Sequence, residues 1–352
     1  MGTKSSLPII FSLCFVLASC AETIDEGGNT PKITELNDFE TIVSSDKMVL
    51  ANPHRIRFED RKGLIIFDSS LEKVVRLSLD GEVIHEIGSK GSGPGEYQSV
   101  SNIHLSDDSI FLVDDRQFII HQFSQDGNHI SSLDYGDFGT HRINKPTVIN
   151  QEKLLIPNPA SGQALFKLIN RNGEETAQFG EIPEGSTDEL DYDLYRAAIS
   201  NREIPPYFKP HVFAVNNGEE SVFMVYEAFP KISNYDLTGK LLWETETIDL
   251  PEIVSVSTGY YNFMNMVLRQ ANAVQPLRKY IDGVSKNGRL FVSTNTSHNN
   301  PLWIHEFENS GNFLNRFVFR SDVGLKSHFD IDINGRRFFV ITKEGEIRAY
   351  PF

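Results

Sequence analysis

A recurring phrase constrains this chain more than any other feature. Gly63-Leu64-Ile65-Ile66-Phe67-Asp68 leads to Val74-Val75-Arg76-Leu77, then Asp80-Gly81, then Val83-Ile84-His85-Glu86-Ile87-Gly88. Ser109-Ile110-Phe111-Leu112-Val113-Asp114 leads in the same order to Ile119-Ile120-His121-Gln122-Phe123, Asp126-Gly127 and His129-Ile130, closing at Gly136. Both copies read strand, strand, Asp-Gly turn, strand. A β unit repeated at a fixed period specifies a propeller or an array, because one unit cannot bury its apolar faces alone.

The turn glycines Gly81, Gly127, Gly173, Gly239 and Gly311 are spaced by 46, 46, 66 and 72 residues. A four-stranded blade takes ~40–50 residues, so the longer spacings leave insertions of about 20–25 residues. Leu64–Phe67 is apolar throughout, as for a strand buried on both faces, whereas His121-Gln122-Phe123-Ser124 alternates. Blades are expected near 53–88, 99–136, 144–180, 209–249 and 280–319. The last unit, from Phe329 to Tyr350, supplies only three strands. The strand-like segment 33–44 is expected to serve as its outer strand, which closes the ring and removes an edge. The expected fold is all-β: a six-bladed β-propeller with four-stranded blades, closed by an N-terminal outer strand, with two insertions on one face. Residues 1–20 read as a leader, 21–32 as a flexible tether and 33–352 as the propeller.

The formal net charge of −15 argues against nucleic acid as a partner, since phosphate binding needs clustered Lys and Arg. Cys14 and Cys20 are the only cysteines and both lie in the leader, so the folded body can form neither a disulfide framework nor a cysteine metal site. The apolar run Leu7–Leu17 is too short to span a membrane. It ends in Leu17-Ala18-Ser19-Cys20, which resembles a bacterial lipobox. That resemblance implies lipidation, including palmitate, at Cys20. It also implies an outer-membrane lipoprotein facing the periplasm or the cell surface.

Gly88-Ser89-Lys90-Gly91-Ser92-Gly93-Pro94-Gly95-Glu96-Tyr97 precedes Ile103-His104-Leu105 and Ile110-Phe111-Leu112-Val113-Asp114-Asp115. This order resembles the NHL-type propeller repeat. With the lipobox, the chain resembles the six-bladed, NHL- and TolB-like propeller lipoproteins of Bacteroidetes. The first two blades match well and blades three to five match in strand pattern. Ser101-Asn102 departs from the proline before strand A that Pro53, Pro146 and Pro210 keep. The resemblance implies fold and envelope location but no activity, because such propellers include binders, scaffolds and enzymes.

The Gly-rich loop 88–97 lacks the following helix that a dinucleotide site requires. Three places remain as candidate sites. The starts of strand A line the channel and should bring His54, Asn102, Thr147, His211 and His328 to one mouth. His54, His211 and His328 there could hold zinc, with Asp282 and Asp330 adding carboxylates, as in NHL-type lyases that this pattern resembles. The insertions 181–209 and 251–278 emerge on that same face and carry Tyr192, Tyr195, Tyr207, Tyr260 and Tyr261, with helix-like spacing around 259–272. Asp188-Glu189-x-Asp191-x-Asp193 has calcium-binding residue types but lacks an EF-hand's glycine and terminal Glu, so it reads as a solvated acidic run. No Gly-x-Ser-x-Gly or His-Glu-x-x-His motif is present, so no residue is assigned a catalytic role. The expected function is a monomeric, lipid-anchored binding or scaffold protein for a protein, peptide or glycan. The alternative is a channel-mouth metal-dependent lyase or hydrolase using zinc or calcium.

Overall fold

The structure, a computed structural model, describes residues 31–352 except 48, 137–143, 160–161, 219 and 297–299. Two N-terminal strands come first, β1 (Lys32–Leu36) and β2 (Glu40–Val43). Blade one is β3–β6 (Pro53–Glu59, Gly63–Asp68, Lys73–Leu77, Val83–Glu86). A short parallel pair, β7 (Ser89–Lys90) and β8 (Glu96–Tyr97), leads to blade two, β9–β12 (Val100–Leu105, Ser109–Asp114, Ile119–Ser124, His129–Asp134). Blade three is β13–β16 (Thr147–Val148, Lys153–Pro157, Phe166–Asn170, Glu175–Phe179). Blade four is β17–β20 (Val212–Asn217, Ser221–Tyr226, Lys231–Asp236, Leu241–Glu246). Blade five is β21–β24 (Tyr280–Lys286, Arg289–Thr294, Trp303–Phe307, Phe313–Phe319) and blade six begins with β25–β27 (Leu325–Asp332, Arg337–Thr342, Ile347–Pro351). The chain is a six-bladed β-propeller.

The apolar pattern explains the ring. In β4, Leu64 and Ile66 enter the core shared with blade six, while Ile65 and Phe67 enter the core shared with blade two. Each second strand is sandwiched between neighbours and is buried along nearly its whole length. Four further pairs of blades share such cores, and Ile42, Val43, Phe339 and Ile341 close the circle against Ile56 and Leu64. The repeated Asp has a local task. Asp68 Oδ2 accepts the amides of Ala51 (2.6 Å) and Asn52 (2.8 Å), and its Oδ1 accepts those of Ser70 and Leu71 (both 2.9 Å). One carboxylate thus satisfies both the incoming connection and its own turn, and Asp114 does the same in blade two. Gly81 has φ +81°, and a Cβ there would lie 2.2 Å from the carbonyl oxygen of Ile42 in the preceding blade.

The N-terminal segment does not form one outer strand of blade six. It divides at Asn37-Asp38-Phe39. β1 joins blade five parallel to β24, from Lys32 opposite Asn315 to Leu36 opposite Phe319, and only β2 pairs with β27. Leu36 fills the core between blades five and six, Ile42 and Val43 that between six and one. Between them Phe39 packs on Tyr350 (5.3 Å) under the Arg348 guanidinium (4.0 Å).

Both insertions fold. The first holds α1 (Tyr192–Asn201), capped by Asp191, whose Oδ1 accepts the amides of Asp193 (2.8 Å) and Leu194 (3.0 Å). The acidic run is therefore in part a helix start. The second holds α2 (Pro251–Val267), which begins eight residues earlier than expected, with Pro251 in its first turn. The helices pack on each other through Tyr195, Ile199, Tyr260, Tyr261 and Met264, and on Ala228 at the rim of blade four.

Candidate functional site

The inner strands place the site. In β3, Ile56 and Phe58 face the core with blade six, so the two-residue alternation turns Arg55 and Arg57 into the channel. In β25, Phe329 and Ile331 enter a core while His328 and Asp330 line the channel. The channel holds a cavity of about 480 Å³. At its upper end a second cavity, between blades one and two, shares His54, Arg55, Ser101 and Lys145 with it.

Asp282 organises the middle of the channel. Its Oδ1 accepts from Arg57 Nη2 (3.1 Å) and its Oδ2 lies 3.1 Å from His328 Nδ1. Burial opposes its ionisation, but Arg57 and His328 outweigh this and hold the carboxyl well below the usual range. Burial, then Arg55, pushes His328 down to about 3, so the ring is neutral. Its Nδ1–H donates to Asp282, and Nε2 accepts from Arg55 Nη1. His104 is likewise pushed down to about 3 by burial and Arg57. Further along, Lys286 Nζ pairs with Asp330 (3.3 Å), and Arg278 Nε pairs with Glu227 (2.7 Å).

The mouth is different. Arg55 Nε (2.7 Å) and Lys145 Nζ (3.2 Å) both donate to the carbonyl oxygen of Ser101. Burial and then Arg55 push Lys145 down to about 7. His54 stands beside them, its ring 4.9 Å from that of His328, and burial followed by Arg55 pushes it down to about 4.

The sequence-derived residues separate into groups. His54 and His328 meet, but His211 lies apart under Phe208 (5.0 Å), 3.8 Å from Glu227. Among the described residues no group of three His, Cys, Asp or Glu is placed to hold a metal, so the proposed histidine triad does not assemble. Asn102 is engaged by Arg57 (3.3 Å), and Thr147 is buried, donating to Ala214 O (3.2 Å). The tyrosines are not a displayed surface: Tyr195, Tyr260 and Tyr261 are 1%, 4% and 6% exposed inside the cap and Tyr207 is half-buried, leaving Tyr192 at 47%. The cap needs an apolar core of its own, and these rings fill it. Cys20 lies outside the described residues. Sequence reasoning passed over Arg55, Arg57 and Lys145; the visible signal was Arg-Ile-Arg-Phe in an inner strand, basic residues alternating with core ones.

Fold and channel together define a six-bladed propeller with a charged central cavity. Residues 24–147 match the family model DUF5128, described as a 6-bladed beta-propeller, and over that stretch the chain is similar to this family. Among solved structures, a Bacteroides fragilis protein named as an exported protein superposes with a TM-score of 0.54 at 14% identity, covering 91% of this chain and 99% of its own. A catalytically inactive virginiamycin B lyase of Staphylococcus aureus with quinupristin gives 0.47 at 11% identity (90% and 98% covered), and a DUF4221 member from Bacteroides vulgatus gives 0.49 at 9% (86% and 92%). At such scores the last two say nothing about activity in this chain. No curated protein matches.

Proposed function

We propose that this is a lipid-anchored envelope protein that acts by binding, taking its ligand at the channel mouth on the face that bears both insertions. The observation that carries the proposal is the cavity of about 480 Å³ whose upper wall is built from strand-A starts of several blades. Concave sites on which polar groups converge are where small ligands are commonly held. The lipobox-like Leu17-Ala18-Ser19-Cys20 supports the anchor, and no helix among the described residues is long and apolar enough to cross a membrane. A glycan, a peptide or a protein segment fits the mouth, and a monomer suffices for it.

The absence of thiols outside the leader gives a direct test. In the full chain with Cys14→Ser and Cys20→Ser, an environment-sensitive dye is attached at Gln98→Cys, beside the mouth, or at Asp126→Cys, at the hairpin tip. Envelope glycans, peptides and metabolites are titrated against both. Saturable responses at Gln98→Cys alone are expected. Responses confined to Asp126→Cys would place binding on the opposite face and overturn the proposal.

A further inference from the structure

We infer that the ligand carries an anionic group, a carboxylate, sulfate or phosphate, that seats between Arg55 and Lys145; this rests on the channel mouth being the binding site. The charge balance of the cavity leads there. Its described wall carries the cations Arg55, Arg57, Lys145, Arg278 and Lys286 and the carboxylates Asp282, Asp330 and Glu227. Each carboxylate already has a cation within 3.3 Å: Arg57, Lys286 and Arg278 respectively. Among the described residues, Arg55 and Lys145 have no carboxylate within 4 Å.

These two come from different blades yet converge on one carbonyl oxygen, that of Ser101, at 2.7 and 3.2 Å. Two cations drawn together in a half-enclosed site repel, and a bound anion relieves the repulsion. They are also set apart from their surroundings, because the chain as a whole carries −15. The donors point the same way. Arg55 uses Nε on Ser101 and Nη1 on His328, and among the described residues its Nη2 makes no hydrogen bond. A guanidinium edge with an ammonium beside it matches an oxyanion.

Binding there is coupled to a proton. Burial, Arg55 and Arg278 push Lys145 down to about 7, against Asp115 and Glu227, which raise it. His54, neutral above about 4, adds no charge at neutral pH, and Arg55 stays charged, pushed down only to about 10. Asp115 is exposed and screened. A bound anion raises the Lys145 value, so binding takes up a proton near neutrality. Affinity is then full below pH ~7 and falls as the pH rises above it, by up to about tenfold per unit.

The test is calorimetric titration of the full-length protein with sodium sulfate, inorganic phosphate, sodium glucuronate and neutral glucose at fixed ionic strength. The three anions distinguish sulfate, phosphate and carboxylate sources. Sulfate keeps its charge from pH 6 to 8.5, so it serves for the pH series. At least one anion should bind, at least tenfold more weakly to Arg55→Gln and to Lys145→Gln and more weakly at pH 8.5 than at 6. Lys145→Arg should keep binding and lose the pH dependence, which separates charge recognition from damage to the fold. Anion binding unchanged in both Gln variants, glucose binding as well as glucuronate, or no anion binding at all would overturn the inference. A neutral ligand that reports at Gln98→Cys would overturn it too while leaving the channel mouth as the binding site.

Discussion

Asp282 is the residue on which the channel's middle depends, because it faces both Arg57 and His328. Removing one member of a buried charge pair leaves the other without compensation, so Asp282→Ala is expected to cost about 3–5 kcal/mol in urea unfolding at pH 7. A loss under 1 kcal/mol would show that water already shares this charge. The histidines set the acid limit. His104 and His328 are pushed down to about 3 from an ordinary value near 6.5. Between those values the unfolded chain binds protons that the folded one refuses. Stability is therefore complete above pH ~6.5 and declines as the pH falls toward 3, by up to about 1.4 kcal/mol per pH unit for each ring. His104→Gln and His328→Gln should flatten this slope in unfolding curves recorded at successive pH values. Asp282, whose value is depressed, adds its own loss only below the ordinary carboxylate range near 3.9.

At the scale of elements, the two insertions form a small helical cap with its own core. Tyr195→Ala should cost about 3 kcal/mol, whereas Tyr192→Ala, exposed, should change melting little. Asp191→Ala removes the α1 cap and should cost about 1 kcal/mol, read as faster amide exchange over 192–201. This cap shows where the sequence stopped being legible. Strands alternate at period two and a turn glycine recurs, so five blades could be read from spacing and the sixth from its three strands, while the division of 33–44 between two blades could not. The helix in 181–209 was signalled by Asp191 followed by Tyr195, Ala198 and Ile199 at helical intervals, but one short helix rich in acids imitates a solvated loop. Buried tyrosines imitate displayed ones for a similar reason: residue type does not say which side of a helix has a partner. At the channel, the histidines were chosen by type and the arginines passed over. The alternation of β3 already put Arg55 and Arg57 on one face, but only the packing of the blades reveals that this face is the channel and that His211 does not reach His328.

For the whole molecule, two predictions concern its ends. Metabolic labelling with a palmitate analogue should mark the protein and vanish in Cys20→Ser; persistence of the label would remove the lipid anchor from the proposal. Deleting 31–44 withdraws β1 and β2 together, bares the outer strands of blades five and six and takes Ile42 and Val43 out of the closing core. The melting temperature should fall and proteolysis within 313–351 should quicken, and an unchanged melt would contradict this.

The two-part seal also orders events in time. β1 and β2 leave the ribosome long before their partners β24 and β27. Lys32 must wait for Asn315, a span whose closure costs about 5 kcal/mol in chain entropy. Four blades can stack before either end is mated, so a chain halted short of β27 carries a waiting strand at one end and an open blade at the other. Such a fragment is built to trade strands with a second copy, or to be degraded. Only a chain that has reached β27 can satisfy β1 and β2, and ring closure thereby distinguishes chains that carry all six blades from those that stop short of them.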